Sequence, residues 1–417
     1  VVNESISRYV THMQRCLIYQ CVMISLLLSG CATTGQQISA STVSTVRIAT
    51  YNTALSRDEA GKLHAALAKG NDKQAKLIAE VLQRTRPDIV LLQEVDYDPT
   101  GKAYEDFQRN YLNISQNGAE PITYEHTYAP PVNTGILAPV DLDGDGKITR
   151  PNDCFGFGTF EGQYGMVVLS KPRIENRWVD DIRTFREAQW QDKPNRLLPM
   201  DYFSFSDEAW QIFRLSSKTH ADIPVTIGRQ KLHLLVSHPT PPVFDGPEDR
   251  NGRRNYDEIG MWADYLTPYD RRPPGTKFPV RDGHAQIGFL QPDKLFLIMG
   301  DLNADPNDGE SRPGAVQQLL EHERVNASVI PTSEGAVQAA KQQGGKNLSH
   351  KSDPAADTAD FGEGERGPGN LRVDYVLPSI DLDVVGSGVY WPASDDPHAY
   401  LNQASDHKLV WIDIKLP

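Results

Sequence analysis

Apolar positions in this chain fall into short, nearly unbroken runs separated by long polar stretches. Thr45–Tyr51, Asp88–Val95, Tyr164–Ser170, Lys231–His238 and Lys294–Gly300 are such runs. They predict strands covered on both faces, because a strand with one wet face would alternate instead. Leu371–Leu377 and Leu409–Lys415 close the pattern as two further strands. Helical spacing appears in Asp72–Thr85, where Ala75, Ile78, Ala79 and Leu82 form one stripe that stops before Pro87. Asp207–Phe213, Tyr256–Leu266 and Gly314–His322 read as helices too. Residues 97–160 read as a long irregular insertion, and 171–225 as mixed. Pro239–Arg254 reads as a Pro- and Gly-rich loop. Residues 331–370 are poor in apolar side chains and predict a mobile loop. Strands and helices interleave without an internal repeat, which favours an α/β sandwich with mixed sheets over a purely parallel sheet.

The first 44 residues follow other rules. Arg8 and Arg15 precede an apolar stretch over 17–28 that is too short to span a bilayer as a helix. Leu28-Ser-Gly-Cys31 resembles a bacterial lipobox, so residues 1–30 are expected to be a lipoprotein signal peptide and Cys31 the acylated residue. Val1 reads as an alternative start, and Met13 would give a more usual leader. A polar tether over 31–44 follows, and one folded domain is expected over 45–417. Ala32 after the cysteine implies sorting to the outer membrane, so the protein is expected to be extracytoplasmic and lipid-anchored. Of the four cysteines only Cys154 would remain as a thiol, which excludes an intrachain disulfide.

The formal charge is −13, and cleavage would remove Arg8, Arg15 and Glu4. An acidic chain is a poor sequence-independent binder of polyanions, since that binding comes from Lys and Arg at phosphates. Several apolar runs end in residues that handle metals or phosphate. These are Asn52 in R-I-A-T-Y-N, Glu94 in L-L-Q-E, His238 in L-L-V-S-H, Asp301 and Asn303 in I-M-G-D-L-N, Asp374 in R-V-D-Y-V-L, and Asp406-His407 in S-D-H. Phosphoester hydrolysis needs a divalent cation, an oriented water and a proton carrier in one place. Asp301 and Asn303 would point the same way if their strand ran on through both.

The order of these motifs resembles the endonuclease/exonuclease/phosphatase superfamily, which includes pancreatic-type deoxyribonucleases, apurinic-site endonucleases, neutral sphingomyelinases and inositol-polyphosphate 5-phosphatases. The resemblance spans roughly residues 45–417. It implies a four-layered α/β sandwich, two mixed sheets face to face with helices outside. It also implies a metal site of Glu94 with Asn52 beside it and Asp406 on the metal side, holding Mg²⁺ or Mn²⁺. His238 is expected to protonate the leaving oxygen, Asn303 to contact a phosphoryl oxygen, and Asp374 to fix His407 at the scissile phosphate. The general base is either Asp301 or His407. Arg253 and Arg254 would either clamp phosphate or pair with Glu248 and Asp249, and Glu161 is a candidate to orient His238.

Asp141, Asp143 and Asp145 follow the calcium-loop spacing D-x-D-x-D-G, with Lys147, Thr149 and Asn152 at the later positions where a bidentate Glu is missing. The loop is expected to hold structural Ca²⁺, apart from the catalytic ion. The resulting reading is a monomeric, lipid-anchored, metal-dependent hydrolase of phosphoesters, acting as a phosphodiesterase or phosphatase. An extracytoplasmic nuclease is the alternative within the class, though the acidic chain does not favour nucleic acid as a partner. A non-catalytic ligand-binding lipoprotein is the alternative outside it.

Overall fold

Neighbouring residues of each central strand belong to different hydrophobic cores, and that alternation defines the architecture. The computed structural model describes residues 45–175, 182–193, 195–198, 207–271, 288–362 and 367–416. The expected leader, Cys31 and tether lie outside these residues. The first sheet contains β1 (Thr45–Asn52), β2 (Ile89–Gln93), β3 (His126–Tyr128) and β4 (Met166–Ser170). The second holds β5 (Arg173–Ile174), β6 (Arg183–Thr184), β7 (His220–Ile227), β8 (Gln230–Ser237) and β9 (Leu295–Asp301). A small hairpin, β10 (Ala359–Asp360) with β11 (Asn370–Leu371), stands apart. Of the last strands, β12 (Asp374–Pro378) joins the second sheet, while β13 (Asp383–Tyr390) and β14 (Leu409–Lys415) join the first.

The first sheet runs β13-β14-β1-β2-β4-β3, and the second β12-β9-β8-β7-β5 with β6 on β7. Each contains one parallel pair, β1 with β2 and β8 with β9, among antiparallel ones, so both are mixed. Ile48, Ile89, Leu91 and Val168 from the first sheet share a core with Leu234, Val236, Leu297 and Val376 from the second. The residues between them face outwards. Ala49, Val90 and Leu92 pack on the helix Lys73–Thr85. Leu235, Phe296 and Ile298 pack on the helix Arg250–Leu266. The result is the expected four-layered α/β sandwich.

Most of the expected elements form, with shifted ends. The helix expected from Tyr256 starts at Arg250, and Gly314–His322 yields a single turn, Gln317–Leu320. The mixed stretch before residue 225 contains β7, obscured in sequence by Pro224 within it. Residues 97–160 are largely irregular, as expected, but hold the helix Lys102–Phe107 and the edge strand β3. The expected loop over 331–370 is overturned. Its described part carries the helix Glu334–Gln343 and the β10–β11 hairpin, joined by side chains that cap backbone amides. Asn347 accepts from the Asn370 amide at 2.7 Å, and Asp305 accepts from Arg372 at 2.9 Å. Small side chains such as Ala336, Ala340 and Ala359 are buried here, and hydrogen bonds supply much of the remaining order, so a composition poor in large apolar residues did not reveal it.

Candidate active site

Strand parity delivers most of the polar set to one place. Asn52 continues the inward series of Ile48, Asp301 that of Leu297 and Met299, and Asp374 lies two before Val376. All three therefore face between the sheets at their rim. Glu94 has the opposite parity and should face the helices with Leu92. It sits instead at φ 56, a left-handed backbone that Glu rarely adopts, just beyond β2. That twist brings its carboxylate to Asn52, whose Nδ2 donates to Glu94 Oε1 at 3.3 Å and to Asp301 Oδ2 at 3.0 Å. Asn52 Oδ1 accepts from the Ala54 amide at 3.1 Å. Asn52 thus holds two carboxylates side by side, and its oxygen is already used.

Asp301 is the centre of the group. His238 Nε2 stands 3.4 Å and His407 Nε2 3.7 Å from its Oδ2, and all three side chains are buried. The glycine before it is required by packing. Gly300 has φ 151, and a Cβ there would meet the Ser237 carbonyl oxygen at 1.9 Å. Asn303 differs from expectation because β9 ends at Asp301 and Asn303 is itself left-handed, at φ 53. Its side-chain Nδ2 donates to the Pro239 carbonyl at 3.1 Å, and its backbone N–H to Asp301 Oδ1 at 2.9 Å.

His407 is fixed from several sides. Asp374 Oδ2 lies 2.8 Å from its Nδ1, and Phe361 meets its ring edge-on at 5.4 Å. Ser405 of S-D-H hydrogen-bonds the His407 amide at 3.1 Å and donates to the Asn52 carbonyl at 2.8 Å, which fastens the motif to β1. Thr358, which sequence reasoning passed over, donates to the same Asp374 oxygen at 2.8 Å. The other carboxylate oxygen, Oδ1, is buried without a hydrogen-bond partner among the described residues.

Burial alone would lower the His407 pKa, but Asp374 and Asp301 outweigh it and push it up to about 10. Burial raises Asp374 to about 6 against the pull of His407. Burial also opposes ionisation of Asp301, yet His407 and His238 hold it well below the usual carboxylate range. His238 moves the other way, down, through burial and the nearby Lys218 charge. The carboxylates around His407 thus favour its charged form, while burial and Lys218 disfavour charge on His238.

Asp406 stays at the rim of the site, exposed, with its carboxylate beside the hydroxyl of the Ser405 that docks on Asn52, at 3.2 Å. Other expected residues lie elsewhere. Arg254 is buried and donates to the carbonyls of Leu215, Phe155 and Arg214. Arg253 donates to the Glu248 carbonyl at 3.0 Å, and Asp249 pairs with Arg312. Glu161 is not placed to orient His238, because it is exposed and pairs with Arg150 at 2.9 Å. Sequence reasoning missed Lys218, which is buried just before β7 and reaches the Pro239 carbonyl at 3.4 Å. It also missed Glu258, whose two oxygens accept the Ser217 and Thr240 amides, each at 2.6 Å, and so tie together the two loops beside the site. Pairing His220 with Ser237 across β7 and β8 would have placed Lys218 near His238.

Asp301, Asp374 and His407 offer ligand atoms within 4.8 Å of one another, and with Glu94 they give an oxygen-rich donor set suited to a hard divalent cation. This fold and this group of residues define a phosphoesterase scaffold with a metal-binding centre. Residues 49–407 match the model of the Endonuclease/Exonuclease/phosphatase family, and the chain belongs to that family. No curated protein matches it in sequence. Among solved structures it is similar to an endonuclease/exonuclease/phosphatase from Beutenbergia cavernae DSM 12333, at 16% identity and TM-score 0.48, over 89% of this chain and 72% of that one. Sphingomyelinase C from Streptomyces griseocarneus gives 14% identity and TM-score 0.44, over 89% and 99%. The human Nocturnin catalytic domain with bound sulfate anion gives 14% and 0.43, over 89% and 94%.

Proposed function

We propose that this protein hydrolyses phosphoesters with Mg²⁺ or Mn²⁺, acting on a compact phosphorylated substrate. The observation that carries the reading is the Asp301 carboxylate, met within one rim by Asn52 from β1, His238 from β8 and His407 from the segment before β14. Glu94 would hold the cation with Asn52 beside it, and the cation would supply positive charge against the phosphoryl oxygens. Asn52 keeps the two carboxylates together. Asp301, ionised, orients a water and accepts its proton. His407, held cationic by Asp374, faces the developing phosphoryl charge and gives a proton to the leaving oxygen. His238, neutral, completes the wall around Asp301. Lys218 adds a second positive group from behind Pro239.

Lipid anchoring through Cys31 at an outer membrane belongs to the same reading and rests on the L-S-G-C motif. So does calcium in the loop of Asp141, Asp143 and Asp145, whose ligand atoms lie within 4.8 Å of one another. The test is a metal-dependent assay of the protein on a chromogenic phosphodiester, a phosphomonoester, a phospholipid head group and plasmid DNA. Asp301→Asn and His407→Gln are each expected to lower kcat on the order of 10³-fold, and chelation to abolish turnover. Full activity in either variant refutes the assignment. Preferential cutting of DNA at low salt overturns the compact substrate.

A further inference from the structure

Beside Glu94 opens a cleft of about 750 Å³ whose walls come from the 97–160 insertion, the segment before β7, the loop after His238 and the start of the helix Arg250–Leu266. We propose that this cleft seats the non-phosphate part of the substrate and takes a planar aromatic group of nucleobase size. The inference rests on the phosphoesterase reading for its orientation, because Glu94, Tyr164 and Lys218 line the cleft and also border the catalytic centre. The volume falls in the range of small-ligand sites, roughly 300–1,000 Å³.

Two exposed rings set the chemistry. Phe157 is 60% and Phe244 90% exposed, and both line this cleft. Leaving a phenylalanine in water forgoes its burial, roughly 1.5–3 kcal/mol, so a ring kept bare at a ligand cleft marks a surface awaiting cover. Phe244 is also held there. Its backbone is left-handed at φ 65, a genuine outlier for a bulky residue. Asn251 of the helix Arg250–Leu266 pins the turn, donating its side chain to the Val243 carbonyl at 2.6 Å and its amide to Asp245 at 2.5 Å. Backbone strain held in place by a neighbour points to a use for the side chain it presents.

The rest of the wall discriminates among phosphoesters. Leu142, Pro151, Phe213 and Pro241 add apolar surface beside the two rings, with polar groups such as Thr134, Asn152 and Thr240 at intervals between them. Three cations, Lys218, Arg250 and Arg254, against two carboxylates, Glu94 and Asp143, leave the wall net positive and suit an anionic group over a quaternary ammonium. A flat ring with an attached anionic phosphate satisfies both the phenylalanines and the cations.

Calorimetric titration of the protein with adenosine 5′-monophosphate and with inositol 1-phosphate decides the matter, in Mg²⁺ and with Phe157→Ala and Phe244→Ala alongside. Both side chains are exposed, so the variants fold. The nucleotide is expected to bind at least tenfold tighter than the polyol phosphate. Each variant should loosen the nucleotide by roughly tenfold, in the range of a lost stacking contact. Equal affinities, no nucleotide binding, or nucleotide binding unchanged in both variants overturns the proposal. Lack of turnover on every phosphoester would instead sink the enzymatic reading, and the titration would still decide this one.

Discussion

Thr358 places one hydroxyl between a backbone turn and the catalytic dyad. Its oxygen accepts the Val373 and Asp374 amides, both at 3.0 Å, and donates to the Asp374 oxygen that also meets His407. A hydrogen bond to a charged group contributes about 1.5–3 kcal/mol, and much of that acts here on the orientation of His407. Thr358→Val is therefore expected to lower kcat by about tenfold or more with a smaller change in KM, and Thr358→Ser to restore it. Equal activity in the valine and serine variants would show the hydroxyl to be idle. Glu94, Asp301, Asp374 and His407 were legible in the sequence because each ends or begins an apolar run. The backbone turn that aims Glu94 was not, since a left-handed glutamate leaves no mark in composition. Nor was the downward shift of His238, which comes from burial and from the Lys218 charge that sequence reasoning passed over. Thr358 was hidden in a segment read as loop.

At the scale of elements, the loop from Asp141 to Asp153 is folded around its own carboxylates. Asp141 accepts the Gly144 and Gly146 amides, both at 2.7 Å. Buried Asp153 accepts the Leu142 amide at 2.6 Å and the Thr149 amide at 2.7 Å, so it closes the loop from the core side. Asn152, the expected twelfth position, donates to Asp143 at 2.8 Å. Calcium at millimolar concentration is expected to raise the melting temperature by a few degrees, and Asp143→Ala with Asp145→Ala to remove that rise. An unchanged melting curve would leave the loop as an acidic turn. The D-x-D-x-D-G spacing showed the exposed half of this element in sequence. The buried half was missed because Asp153 reads as a neighbour of the motif, and only burial distinguishes it.

For the whole molecule, pH stability has a clear source outside the catalytic centre. His220 is buried between β7 and the helix Arg250–Leu266, with Ser216 at its Nδ1 and the Glu258 carbonyl at its Nε2. Burial lowers its pKa from 6.5 to about 4. The folded state thus prefers the neutral ring. Its contribution is complete above pH 6.5 and is lost as pH falls towards 4, by an amount on the order of 3 kcal/mol. Denaturation between pH 7 and 4.5 should show this slope, flattened in His220→Gln; parallel curves would exclude it. Cys31→Ser is expected to move the protein from the membrane to the soluble fraction, and an unchanged distribution would end the lipoprotein reading. The sandwich itself was legible because the apolar runs are two-faced and too short for buried helices, which reads as strands between layers. The order of its strands was not, and one consequence of that order concerns biosynthesis. β14 lies between β13 and β1, with Lys415 opposite Thr45. Until that strand inserts, β1 has a bare edge and Ser405 has not docked on Asn52. A chain arrested before β14 is made thus lacks the strand that completes the first sheet, and leaves an open edge prone to wrong pairing.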